Sequence, residues 1–412
     1  MAHPEILVVG GGIAGCSTAC HLARLGHRVT LLERESLAGA ASGLNAGSIE
    51  CVGWGHQPRS GQASEPGAAP GGADLDTWLT AGSLEIFLSL QLDRGHDIEL
   101  RQSGGLVAIR TGEEMAWAQE RVTRLQRLGH QIELLDSREG RALEPEADPE
   151  LLGFLHAPRR AQADPVKATR AFAQEAERHG ARVLEGHEVV ALAAERDSVR
   201  ARTPQGEWSA AALVLAAGPW CRPLGALLGL EVPVVPVRGQ MWATPPLPPS
   251  VFHTISAAES PLHWRDTPGG DAATPPHLTH RGPERLTRHL YGRQRRDGVV
   301  IFGGDRQLAG YDAEPDKAGI EVNHRHAAEV LPFLAEVPRA RTWAGLMPFS
   351  LDGKPLIGRW PGPAPVYVVS GLASSGFGRG PMAGRLLAEL IHTGEAPAVL
   401  READPARVAV EG

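Results

Sequence analysis

Three glycines, Gly10, Gly12 and Gly15, follow the short apolar run EILVV and precede a stretch of helical spacing from Ile13 to Leu25. Glycine at a tight strand-to-helix turn lets backbone N–H groups approach a pyrophosphate, and the helix N-terminus beyond it favours negative charge. The third glycine of such a GxGxxG pattern packs the helix against its strand. Glu33 closes the next apolar run, HRVTLLER, 18 residues after Gly15. A carboxylate there accepts hydrogen bonds from an adenosine ribose and repels a 2′-phosphate. Ala19, Leu22, Gly26 and Val29 fall at packing spacings of the same unit. The first chemistry the chain advertises is therefore the binding of a dinucleotide, FAD or NAD, which share this fold.

Other constellations are weaker. Ser374 is not in a GxSxG elbow, because Leu372 holds the first glycine position, so nucleophilic hydrolysis is unsupported. His277 with His280, and His324 with His326, lack acidic or thiol companions and read as surface histidines. Cys16, Cys20, Cys51 and Cys221 show no CxxC spacing and read as free thiols of a reducing compartment.

The elements that must position these residues need more than one domain, since 412 residues exceed the usual ~100–200 per domain. The composition, 42% hydrophobic and 22% charged with net charge −7, is that of a globular chain without the basic excess that nucleic acid demands. Only three of its 41 basic residues are lysine, which reads as codon bias. The N-terminus enters a strand at once, and no apolar run reaches the ~18 residues of a membrane span, so a cytoplasmic protein is expected. The βαβ unit at the start is joined by strands in GARVLEGHEVVALAAE and SAAALVLAAGPW, after a helix capped by Asp164 with Pro165 at its first position. Between them, a strand, an amphipathic helix over 113–128 and a second strand belong to another lobe. RDGVVIFGGDRQ reads as a strand and KAGIEVNHRHAAEVLPFL as a helix. Residues 53–74 and 245–283, dense in Gly and Pro, read as surface loops or lids. WAGLMPFSLDGKPLIG reads as a hairpin turning at Asp352-Gly353, and GLASSGFGRGPMAGRLLAELI as a glycine loop leading into a helix from Met382 to Ile391.

In order and spacing, ERESLAGAASGLNAGSI, VLAAGPW, WAGLMPFSLDGKPLIG and VVSGLASSGFGRGPMAGRLLAELI resemble the D-amino-acid-oxidase-like flavoproteins, which include glycine and sarcosine oxidases and D-amino-acid dehydrogenases. The resemblance spans nearly the whole chain and implies an α/β fold: a Rossmann-type FAD-binding domain with a parallel sheet (residues 1–85, 155–225 and 341–412) and an antiparallel-sheet substrate domain (86–154 and 226–340). It further implies that Gly10, Gly12, Ile13, Ala14, Gly15, Glu33, Arg34, Ser42, Asn45, Ala46 and Gly47 line the FAD. Val189, Ala217, Gly218, Trp220, Gly345, Leu346, Gly371, Ser374, Ser375, Gly376 and Phe377 complete that set.

The departures from the family concern the substrate. Amino-acid-oxidising members carry an arginine in the motif corresponding to GLMP, where it grips a carboxylate; this chain has Met347. The arginine that follows the start of the last loop in glycine oxidases is also missing from GLASSG. Either another arginine serves, with Arg293 and Arg238 as candidates, or the substrate has no carboxylate there. His289, Tyr291 and Arg293 alternate onto one face of a strand and are expected beside the flavin. No lysine in GVVIFGG marks an oxygen-activating site, and no cysteine near the last motif marks a covalent linkage, so noncovalent FAD is expected and O2 or a separate electron acceptor remains open. The expected activity is oxidation of an amine, an N-substituted amino acid or a D-amino acid by hydride transfer to flavin N5, giving an imine that hydrolyses. The alternatives are a hydroxy-acid or alcohol dehydrogenase, with His289 or His263 as base, and a non-catalytic flavoprotein subunit or assembly factor. The expected partners are a small-molecule amine or amino acid and the acceptor, and the sequence leaves room for a homo- or hetero-oligomer.

Overall fold

The computed structural model describes residues 5–52, 74–266 and 273–409. The strand Glu5–Val9 sits near the middle of a six-stranded sheet, flanked in parallel by Arg28–Leu32 and Ala212–Leu215. Arg182–Leu184 forms one edge; Val366–Ser370 and the antiparallel Leu356–Arg359 form the other. After Glu5 the strand is apolar, Ile6 to Val9, because both faces of this sheet are covered. Ile6 and Val8 pack with the helices Ile13–Arg24, Pro165–Arg178 and Gly376–Thr393, whereas Leu7 and Val9 pack with the small antiparallel meander Ala191–Ala194, Val199–Thr203 and Gly206–Ala210. Asp164 caps its helix as expected, accepting from Lys167 N at 2.9 Å with Pro165 at the first position.

The second sheet has eight strands, ordered Arg341–Ser350, Val234–Pro246, Val299–Gly303, Tyr291–Gln294, Thr254–Ala257, Gly105–Ile109, Gly153–Ala157, Glu133–Asp136. All neighbours are antiparallel except Thr254–Ala257 with Gly105–Ile109. Alternation again places two layers. Leu106, Ala108, Trp242 and Phe302 pack against the helix Lys317–Val330, while Val107 and Ile109 pack toward the helix Gly112–Arg127. Trp242 also donates its indole N–H to Asn323 on the first of these helices, at 2.7 Å.

Four expectations change. The stretch WAGLMPFSLDGKPLIG is not a hairpin. Its first half is a ten-residue strand paired with Val234–Pro246 in the eight-stranded sheet, and its second half, Leu356–Arg359, pairs with Val366–Ser370 in the six-stranded sheet. The Asp352-Gly353 turn thus carries the chain from one sheet to the other. The expected boundaries at residues 155 and 341 cut the strands Gly153–Ala157 and the start of Arg341–Ser350 from the eight-stranded sheet to which both belong. The boundary at 85 falls inside the helix Leu75–Leu92, which packs on Gly376–Thr393. Residues 245–283 are no plain loop: they contain the inner strand Thr254–Ala257 and the helix Glu259–Asp266, while most of 53–74 lies outside the described residues. The last helix starts at Gly376, not Met382, because the glycines of the loop take up helical conformation.

Candidate active site

A cavity of about 590 Å³ runs between the two sheets, from the glycine turn after Glu5–Val9 to the face of the eight-stranded sheet. That is the size range of small-molecule and cofactor sites. Of the residues expected to line FAD, Gly10, Gly12, Ile13, Ala14, Glu33, Arg34, Ser42, Asn45, Val189, Ala217, Gly218, Trp220, Gly345, Leu346, Ser374, Ser375, Gly376 and Phe377 all border it. Gly15, Ala46, Gly47 and Gly371 do not border it.

At the nucleotide end, Gly10 has φ +116° and its missing Cβ would lie 2.6 Å from Ala216 O; a Cβ on Gly15 would lie 2.0 Å from Gly10 O. No other residue fits either place. Glu33 Oε2 accepts from Gly11 N at 2.7 Å and Oε1 from Glu35 N at 3.0 Å, which fixes the carboxylate at the cavity rim. Arg34 lies 4.1 Å over the ring of Trp220, so the two form one wall. Ser42 Oγ accepts from Ile13 N at 2.9 Å. Asn45 holds its own loop: Nδ2 donates to Ala41 O and Ser42 O, and Oδ1 accepts from Gly47 N. Two long helices, Ile13–Arg24 and Gly376–Thr393, begin at this cavity with no acidic residue in their first turns. Their partial positive ends, the glycine cradle and the anchored Glu33 suit a dinucleotide such as FAD. Cys221 is buried outside the cavity wall, and no described residue lining it is a cysteine.

The other end is built from separate strands and loops. His289, Tyr291 and Met347 border the cavity as expected, joined by Trp264, His277, Met241 and Arg306. The rings of Trp264 and His289 lie 5.1 Å apart, and those of His289 and Tyr291 5.5 Å. His289 is fully enclosed: burial first, then the charge of Arg306, holds its imidazole well below the usual range, and its Nδ1 has no hydrogen-bond partner. It is neutral at physiological pH, with one ring nitrogen able to accept and the other to donate. Burial pushes the Tyr291 phenol up to about 12, so it stays a donor, presently to Met241 Sδ at 3.2 Å.

Arg293 is placed elsewhere. Its side chain lies on the same face as Tyr291 but does not border the cavity: Nε donates to Ala46 O, Nη1 to Gln162 Oε1 at 3.1 Å and Nη2 to Ala163 O at 2.8 Å. It ties the strand Tyr291–Gln294 to the loop carrying Ala46 and Gly47. Arg238 is a structural ion pair with Asp312, also held by Gln307 and Glu314 O. His277, His280 and His326 are buried, not on the surface. His277 belongs to the cavity, and His326 is among the buried residues of the helix Lys317–Val330. His263 lies one residue before Trp264 on the helix Glu259–Asp266 and does not border the cavity.

Sequence reasoning missed Arg306. It is 3% exposed, lies 3.5 Å over the ring of Trp264, and donates through Nη2 to Ser374 Oγ at 2.6 Å and through Nη1 to His277 O at 3.3 Å. Among the described residues no carboxylate pairs with it, and its Nε has no acceptor. Desolvation, then Arg379, pushes its guanidinium down to about 9. Arg160, another arginine on the cavity wall, has its carboxylate in Glu50 at 2.5 Å. The signal in the sequence was faint: an arginine directly after a strand ending in Gly-Gly, at the tip of GVVIFGGDRQ.

The family model described as FAD dependent oxidoreductase, DAO, matches residues 5–390. Glycine oxidase of Bacillus licheniformis is 26% identical over 393 residues, 94% of this chain and 92% of the relative. D-amino acid dehydrogenase of Vibrio atlanticus is 24% identical over 402 residues, 87% of this chain and 88% of the relative. Among solved structures, glycine oxidase from Geobacillus kaustophilus superposes with a TM-score of 0.80 at 22% identity over 100% of both chains, a likeness of fold.

Proposed function

Since this chain belongs to the DAO family of FAD dependent oxidoreductases, we propose that it oxidises an amine, an N-substituted amino acid or a D-amino acid at the carbon next to nitrogen. The observation that carries this reading is the single cavity that joins a dinucleotide cradle to an enclosed pocket of aromatic and basic side chains. Bound FAD supplies a two-electron acceptor for the hydride that leaves the substrate carbon, so that an imine is released for hydrolysis.

The residues of the chain do the rest. Gly10, Gly12, Glu33, Ser42 and the two helix starts hold the nucleotide. Gly345, Leu346 and the loop Ser374–Phe377 border the part of the cavity nearest the substrate pocket. Met347, Leu372 and Trp264 exclude water, which strengthens every polar contact made inside. Neutral His289 accepts an N–H of the amine but is too weak a base to take its proton. Hydride departure needs the free amine, so the substrate ammonium must lose its proton to solvent. The rate is therefore expected to rise from neutral pH through the ionisation of the substrate ammonium, with no inflection from His289.

The test is anaerobic bleaching of the flavin by amines, amino acids and hydroxy acids, followed by admission of air. Bleaching by amino compounds supports the proposal; bleaching by hydroxy acids alone, or by nothing in the panel, overturns it. The speed of reoxidation in air tells O2 from a separate electron acceptor.

A further inference from the structure

We propose that Arg306, held on the face of Trp264, anchors the carboxylate of an α-amino acid substrate, in place of the arginine that Met347 replaces in the GLMP motif. This rests on the amine-oxidation reading above and names the substrate class of the same site.

A guanidinium has five N–H donors in a rigid fork. In Arg306 two of its nitrogens reach neutral oxygens, the Ser374 hydroxyl and the His277 carbonyl, and Nε reaches none. A buried cation without an anion is costly, and proteins tolerate it where a ligand supplies the counter-charge. The nearest carboxylate in sequence, Asp305, is committed elsewhere: it pairs with Arg285 and accepts from Gln240 Nε2. Trp264 restricts the guanidinium to one plane, which suits a bidentate carboxylate. Tyr291 adds a second donor, since its hydroxyl now faces only the weak acceptor Met241 Sδ. His289 Nδ1, unpartnered on the same wall, is left for the amine. The three groups read both ends of an α-amino acid, and a simple monoamine leaves Arg306 uncompensated.

The experiment uses the FAD-loaded enzyme and two probes of nearly equal shape, pyrrole-2-carboxylate and pyrrole-2-carboxamide, titrated against the visible spectrum of the flavin. The carboxylate is expected to bind at least ~30-fold more tightly than the amide, the consequence of ~2 kcal/mol from a desolvated charge pair. Arg306→Met is expected to abolish that preference and Arg306→Lys to keep part of it, with amide affinity in both within about threefold of the unmodified enzyme, which shows an intact cavity. An unmodified enzyme without the preference, or an Arg306→Met variant that keeps it, overturns the anchor. If Arg306→Met does not retain flavin, the Arg306→Lys variant decides, because a preference undiminished there overturns a bidentate grip. The two readings fail separately. Equal bleaching by monoamines and amino acids removes the anchor and leaves amine oxidation, whereas carboxylate preference without bleaching by any amine removes the activity and leaves the anchor.

Discussion

Arg293 lies on the strand Tyr291–Gln294 and Arg306 three residues beyond the end of its neighbour Val299–Gly303; they are 1% and 3% exposed, yet their surroundings differ in kind. Further along the same face of the sheet as Tyr291, under the loop of Ala46 and Gly47, Arg293 finds an acceptor for Nε, Nη1 and Nη2, two of them backbone carbonyls. Facing the cavity, Arg306 has an idle Nε and an aromatic face. Desolvation lowers both guanidinium pKa values, to about 10 and about 9, because neither has a carboxylate beside it. Burial and a shifted pKa alone therefore do not separate a clamp from a site. The state of the donors does: a completed set holds two parts of the fold together, and an incomplete set waits for a ligand.

Substitution should pull the two apart. Arg293→Met takes a donor from Ala46 O and Ala163 O and leaves Gln162 Oε1 with Arg101 alone, and is expected to lower stability by ~3 kcal/mol or more, read from a denaturant midpoint, with weaker flavin retention because the loop of Ala46 and Gly47 comes loose. Unchanged stability would erase the distinction. Arg306→Met should act in the opposite direction. A cation whose folded pKa is depressed costs stability at every pH below that value, here about 9, so removing it is expected to raise stability by ~1 kcal/mol or more at neutral pH. A loss as large as that of Arg293→Met would make Arg306 a second clamp.

Smaller effects sharpen the picture. Tyr291→Phe keeps the ring and removes only the hydroxyl, so binding of pyrrole-2-carboxylate is expected to weaken about fivefold, near 1 kcal/mol, with amide binding unchanged. His289→Asn is expected to slow turnover without moving the ascending limb of the pH profile, since the imidazole it replaces is already neutral there. A limb that shifts on this substitution would assign the proton to His289 instead of the substrate.

The nucleotide end of the cavity was open to reading along the chain because its parts are local. Gly10, Gly12 and Gly15 act through backbone within one turn, and Glu33 ends the adjoining strand, so spacing alone carries the pattern. The same locality explains why the helix caps at Asp164 and the amphipathic helix Gly112–Arg127 fell close to expectation. Alternation placed Tyr291 and Arg293 on a common face, as the register confirms, but the loop of Ala46 and Gly47 covers Arg293 while the cavity reaches His289 and Tyr291. The hairpin reading of WAGLMPFSLDGKPLIG failed for a related reason: turn chemistry at Asp352-Gly353 specifies a reversal but not which sheet receives each arm.

Sequence by itself determined the α/β class, the glycine turn after the first strand, the membership of the flavoprotein family and the absence of the usual arginine at Met347. Each depends on residues close together in the chain or on a motif that travels as a unit. Tertiary structure alone decided which arginine meets the cavity. Arg306, Trp264, Tyr291 and Ser374 come from four separate segments, and the packing of the eight-stranded sheet against the last helix brings them within reach of one another. Whether a buried donor is satisfied is a property of that packing, and no spacing along the chain encodes it.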